Sequence, residues 1–223
     1  MKEISLEALK VIMSSFQRDK ILGPNGWTIE FFNGFLDLIE VNVLIVVEES
    51  RVGGRMLTTS NVTFITLIPK SDNTSSLEEF RPISLCNCIY KIITTVIAWR
   101  IKKLLSKAIS KEQFGFLARR QIYEAIVVAQ EGLHNIKTQK HKAVVIKIDL
   151  SKAYDKVNWL YLRLVMTHLG FEVPFISWVM SCVTTISFVI LINGVAAIFL
   201  ELGEAFDRVS LYLLFYFYLW MMA

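Results

Sequence analysis

Val144-Val145-Ile146-Lys147-Ile148-Asp149-Leu150-Ser151-Lys152-Ala153-Tyr154-Asp155 places a carboxylate at the end of an apolar run. Four β-branched residues predict a buried strand over Val144–Asp149, with a turn and a helix after it. An acid in that position is costly to desolvate unless a cation or hydrogen-bond donors meet it. Holding Mg²⁺ against phosphate oxygens is one such use, and strand ends are where α/β proteins put such sites. Capping the next helix is the other, and the segment by itself leaves both open. A second candidate surface is basic. Lys91, Arg100, Lys102, Lys103, Lys107, Lys111, Arg119 and Arg120 stand against Glu112 alone between positions 91 and 120. That excess suits a phosphate backbone, and equally the solvated face of a helix.

The elements that must position these groups follow from pattern. Leu6, Leu9, Met13 and Phe16 recur at helical spacing,. Gly23-Pro24-Asn25-Gly26 is a turn, because proline fixes φ and Asn-Gly supplies positive φ,. Leu36–Val47 predicts a buried helix, although its valines also suit a strand, and Ser50–Ser60 with Gly53-Gly54 predicts a loop and a boundary. Val62–Ile68 predicts a strand ending at Pro69-Lys70. Ile89, Ile93, Val96, Ile97 and Leu104 give the apolar face of a long helix,. A further helix over Ile122–Ile136 should pack through Ala125, Ile126, Ala129 and Leu133. Trp159 to Leu169 predicts a helix stopped by Gly170,. Ile186–Ile192 and Val195–Leu200 around Asn193-Gly194 predict a hairpin, with the Val144–Asp149 strand paired to it,.

Several strings together resemble the reverse transcriptase domain of LINE-type (non-LTR) retrotransposons, including those of plants. Ile148-Asp149-Leu150-Ser151-Lys152-Ala153-Tyr154-Asp155 is similar to that family's first palm motif. Lys20 to Phe32 resembles K-x-P-G-P-D-G-[FW]-x-x-E-F-[FY], with Leu22 for a proline and Asn25 for the aspartate. Thr66-Leu67-Ile68-Pro69-Lys70, then Phe80-Arg81-Pro82-Ile83-Ser84-Leu85-Cys86-Asn87, resembles the fingers, and Gln113 to Ile122 resembles the next fingers motif.

The resemblance implies an α+β fold comprising the fingers and partial palm of a right-hand polymerase, with the thumb absent. Its expected boundaries are an N-terminal helical extension over 1–60, fingers over 61–142, and a partial palm over 143–223 with a degenerate C-terminal end. It implies that Asp149 is catalytic and binds Mg²⁺ with the Leu150 carbonyl. Tyr154 would exclude a ribose 2′-OH, and Arg81, Arg120 and Lys70 would meet the nucleotide. The nucleic acid would lie on Lys91, Arg100, Lys102, Lys103, Lys107 and Arg119. The implied partners are an RNA template, a DNA primer and deoxynucleotides, and the implied location is the nucleus or cytoplasm.

The likeness frays after position 200. Where the family has R-G-L-R-Q-G-D-P-L-S-P, this chain has Glu201-Leu202-Gly203-Glu204-Ala205-Phe206-Asp207-Arg208-Val209-Ser210-Leu211. Phe206 puts a ring where glycine admits the substrate backbone, and Glu201 and Glu204 carry the wrong sign beside nucleic acid. The family's [FY]-x-D-D string does not occur in the 223 residues, so the expectation is a truncated, degenerate and inactive copy, or a nucleic-acid-binding remnant.

Composition bounds the alternatives. Hydrophobic residues make up 54% and the mean hydropathy is +0.48, so a membrane protein must be weighed. The uncharged stretch between Glu172 and Glu201 is punctuated like a helix and hairpin, and Val209–Ala223 is shorter than the roughly 20 residues a spanning helix needs,. No membrane partner is therefore expected. Cys86, Cys88 and Cys182 lack C-x-x-C spacing, which predicts neither zinc nor a disulfide-linked partner,. The first residues, Met1 to Glu7, lack the apolar core of a signal peptide,.

Overall fold

The computed structural model describes residues 1–16, 23–74, 76, 79–110, 113–114, 120–146, 158–192 and 194–201. Three helices open the chain: α1 (Leu6–Ser14), α2 (Ile29–Gly34) and α3 (Leu36–Gly53). Ser5 caps α1 by accepting from the Ala8 amide, and Thr28 caps α2 by accepting from Phe31. Such caps contribute about 1 kcal/mol each. Leu9, Ile12 and Met13 bury the face that the spacing predicts.

The predicted loop over Ser50–Ser60 begins later than expected, since α3 continues to Gly53 and ends on Gly54 at φ 58°. The polar residues that suggest a loop are held in helix by side-chain bonds. Arg51 reaches back one turn to Glu48, and the Ser50 hydroxyl donates to the Arg55 carbonyl at 2.8 Å.

After a short 3-10 turn come strands β1 (Val62–Pro69) and β2 (Phe80–Cys86), then helices α4 (Cys88–Ala108), α5 (Ile122–Thr138), α6 (Trp159–His168) and α7 (Val173–Thr184). Strands β3 (Ser187–Ile192) and β4 (Val195–Glu201) close the described chain. The sheet order is β2-β1-β3-β4. Both hairpins are antiparallel, and β1 runs parallel to β3, from Val62 opposite Ser187 to Ile65 opposite Ile190. Gly194 takes φ 78°, as the Asn-Gly turn demands,. Asn61 fixes the parallel junction: its carbonyl accepts from Ser187 at 3.0 Å, and its side-chain amide donates to Thr185 at 2.8 Å.

The core lies where α4 and α7 meet the sheet and the N-terminal helices. Tyr90, Ile92, Ile93 and Ile97 of α4 and Trp178, Val179, Cys182 and Val183 of α7 belong to one buried cluster. The Tyr90 hydroxyl donates to the Cys182 carbonyl at 3.2 Å, and the Trp178 indole donates to Ser50 at 2.8 Å. All three cysteines are free and buried, and burial raises their pKa values to about 11 for Cys86 and about 12 for Cys88 and Cys182. Such thiols are chemically quiet.

One predicted pairing is corrected. Val144, Val145 and Ile146 belong to no strand and are 87%, 71% and 76% exposed. Both sides of β3 are taken, by β1 and β4, so these three residues do not lie beside it, and Lys147 to Asp149, the rest of the predicted strand, lie outside the described residues. Helix α5 forms as predicted, yet none of its residues is buried, and Ile126 and Leu133 stay exposed. Its apolar stripe is real, but nothing in the described structure covers it. Among the described residues no helix is long and apolar enough to cross a membrane.

Candidate nucleotide-facing hairpin and basic helix

Lys70 and Arg81 are brought together by the β1–β2 hairpin. Ile68 pairs with Arg81, and the ladder continues past Pro69, where the Lys70 amide donates to the Glu79 carbonyl at 2.8 Å. Side chains alternate along a strand and directly opposed residues share a face. Lys70 therefore lies diagonal to Arg81 on one face, within reach of long side chains. Glu79 sits opposite Lys70 on that face, so the surface is of mixed sign with two cations to one acid. Both Lys70 and Arg81 are exposed.

The basic residues of α4 divide. Lys91 and Lys102 are half-buried along the helix, which also carries Lys103 and Lys107 in its backbone. Arg100 has turned inward. Its guanidinium donates to the Lys2 carbonyl at 2.5 Å and lies 5.8 Å from the centre of the Trp178 ring. Burial and then the Arg51 charge pull Arg100 below its usual pKa, with Glu48 acting in the opposite sense.

Arg120 is engaged by backbone. It donates to the carbonyls of Ser110, Gln113 at 2.8 Å and Ile109 at 3.2 Å. A cation on the carbonyls just past α4 complements the negative end of that helix's dipole. Asp149, Leu150, Tyr154 and Arg119 lie outside the described residues, so no geometry attaches to them. Among the described residues no group of three or more His, Cys, Asp and Glu could hold a metal ion.

Asn87 has a role that its place in the sequence does not announce. It is buried immediately before α4, yet its side chain does not cap that helix. Instead Oδ1 accepts from the Asn25 amide at 3.0 Å, while Nδ2 lies 3.4 Å from the carbonyls of Ser60 and Val62. It thereby joins the Gly23–Gly26 turn to the starts of β1 and α4. An Asn just ahead of a long apolar helix is the only signal in the sequence, and it reads as a cap. Gly23 completes the junction: a Cβ there would sit 2.5 Å from the Cys86 carbonyl oxygen. Gly23→Ala should therefore destabilise by about 1–3 kcal/mol, the usual cost of overpacking. Urea denaturation measures it, and an unchanged midpoint would show that the backbone yields freely.

The hairpin carries Lys70 and Arg81 on one face, and α4 follows it directly in the chain. Residues 68–196 match the reverse transcriptase (RNA-dependent DNA polymerase) family, and the chain belongs to it. With the motif strings above, it is a LINE-type, non-LTR reverse transcriptase domain. A Xenopus laevis protein described as the transposon TX1 uncharacterized 149 kDa protein is 25% identical over 190 residues, 85% of this chain and 14% of that relative. The chain thus spans a small part of the length of the relative it matches. Reverse transcriptases use divalent metal ions and bind template and primer.

Proposed function

We propose that this chain is the fingers and part of the palm of a LINE-type reverse transcriptase, and that its 223 residues by themselves bind nucleic acid without extending a primer. The observation that carries the reading is the coincidence of the family match over 68–196 with the shared face of Lys70 and Arg81. Two adjacent cations suit phosphate oxygens, and Arg81 can grip them with two parallel bonds. Lys91, Lys102, Lys103, Lys107 and Arg119 continue the contact along the template and primer. Asp149 and the Leu150 carbonyl are the groups to hold Mg²⁺, and Tyr154 is the group to reject ribonucleotides. Domain limits of 1–60, 61–142 and 143–223 go with this assignment.

The inactive half of the proposal rests on charge and shape. Two-metal phosphoryl transfer needs several carboxylates around ions roughly 3.5–4 Å apart. Asp149 comes without paired aspartates in these residues, and Phe206, Glu201 and Glu204 alter the loop expected to pack under the nascent base pair.

Fluorescence anisotropy with single-stranded RNA across a salt series tests binding. Each phosphate contact should add about −0.7 to the log–log slope. Lys70→Glu with Arg81→Glu, and separately Lys102→Glu with Lys103→Glu, should flatten the slope and weaken binding about tenfold or more. Arg120 is left alone because it holds the end of α4. Binding indifferent to salt or to both pairs of substitutions would sink the interface. Template-dependent extension with Mg²⁺ and deoxynucleotides, lost in Asp149→Ala, would overturn the inactive half.

A further inference from the structure

Helix α3 has two faces of opposite fate. Val43, Val47, Ser50 and Arg51 are buried, whereas Leu38, Val41, Ile45 and Val52 are 78%, 58%, 50% and 72% exposed. With 3.6 residues per turn, the exposed four form one stripe nearly opposite the buried face. Leu38, Ile45 and Val52 are spaced by seven, Val41 takes one intermediate position of the same repeat, and Glu48, paired with Arg51, takes the other. That is the seam by which one helix receives the side chains of another. The stripe runs for about 21 Å. At its C-terminal end it opens into a groove of about 500 Å³ lined by Ile45, Val52 and Leu57 together with Glu48, Glu49 and Arg55.

Charge decides what fits. The chain as a whole is +4, yet α3 carries Asp37, Glu40, Glu48 and Glu49 against Arg51 alone. Glu48 is paired with Arg51, and Glu40 with Lys10. Asp37 and Glu49 remain exposed on the two flanks of the stripe. These acids disfavour nucleic acid. A second copy of α3 would bring the same acids, and its one cation, Arg51, is already paired with Glu48. A helix with lysines or arginines on its flanks meets Asp37 and Glu49 with the opposite sign, while Arg55 at the groove end carries the same sign as the partner,.

We propose that the exposed stripe of α3 is a docking surface for a basic amphipathic helix of a partner protein, one that presents an apolar seven-residue repeat flanked by Lys or Arg. The surface is distinct from the Lys70–Arg81 hairpin, so the chain can hold a protein and a nucleic acid through different faces.

The full 223-residue chain is titrated against two labelled helical peptides of about 21 residues, long enough to cover the stripe,. Both carry Leu at the seam, one with Lys and the other with Glu at the flanks. The Lys peptide should bind in the micromolar range and at least tenfold more tightly than the Glu peptide. Ile45→Gln should weaken it at least tenfold, and Glu49→Lys should narrow or invert the preference. Both positions are exposed, and circular dichroism checks that each variant is folded, with Leu38→Gln in reserve for the seam. Equal binding of the two peptides, or indifference to Ile45→Gln in the folded variant, would overturn the proposal. So would a dimer in light scattering that Ile45→Gln dissociates, since the stripe would then belong to a second copy.

Discussion

Trp178→Ala should remove about 3–5 kcal/mol of stability, the usual range for deleting a large buried aromatic. Trp178 is 0% exposed and is the largest fully buried side chain of α7. Three separate contacts meet at its ring. The indole N–H donates to Ser50 at 2.8 Å, the Arg100 guanidinium lies over the face, and Phe175 approaches edge-on at 6.3 Å between centroids. Alanine would leave a cavity, a hydroxyl without its donor and a half-buried cation without its ring. Domains are typically stable by about 5–15 kcal/mol, so the loss would consume a large share of the whole. Chemical denaturation followed by circular dichroism measures it. Trp178→Phe should cost less, because it restores most of the packing and loses mainly the indole bond. A loss in Trp178→Ala below about 1 kcal/mol would mean that α3, α4 and α7 do not depend on this contact.

Arg51→Met should destabilise by about 2–4 kcal/mol, somewhat below the range for breaking a fully buried pair because Glu48 keeps some access to water. Arg51 grips Glu48 through Nε at 2.8 and 2.9 Å and through Nη2 at 2.5 Å, and its Nη1 donates to the Met1 carbonyl at 3.2 Å. Glu48 also accepts from the Ile4 amide at 2.8 Å, so the first residues are tied to α3 by one ionic knot. Burial alone raises the Glu48 pKa. The Arg51 and Ile4 hydrogen bonds, with the charges of Arg51 and Arg100, overcome it and leave the carboxyl below its ordinary value.

A depressed folded-state pKa means stability that is present above the unfolded value and is lost as pH falls through the folded one. Wild-type stability should therefore decline on acidification below the ordinary glutamate range, and Arg51→Met should decline less steeply over the same interval. The Ile4 amide and Arg100 still act in the variant, so its curve should flatten without becoming level. Glu172 is likewise depressed by its bond to the Met1 amino group. Making the comparison in a Glu172→Gln background removes that contribution. Parallel stability–pH curves for the two proteins would refute the assignment to Glu48.

Much of the local architecture is legible in the amino-acid sequence. The apolar spacing of Leu9 and Met13 predicts the buried side of α1, and Asn193-Gly194 predicts the β3–β4 hairpin. These are short-range consequences of period and backbone preference, and they need no knowledge of what lies opposite. The motif strings carry the family, because Lys70, Arg81 and Asp149 stand in strings too specific to be explained as ordinary turns and caps.

Pairing and burial are settled only in three dimensions. Val144, Val145 and Ile146 have the composition of a buried strand, but composition cannot say whether they join the sheet or which strand takes the edge of β3. β1 takes it, from far away in the chain. Arg100 and Arg120 look like members of a basic surface, yet one lies on a tryptophan ring and the other on backbone carbonyls near the end of α4. A guanidinium is long, planar and rich in donors, so its partner depends on which acceptors the fold brings within reach. The same holds for α3, where the sequence by itself determined a helix apolar on more than one side, and the tertiary structure decided which side is covered. Periodicity describes one element at a time, while burial is a property of two.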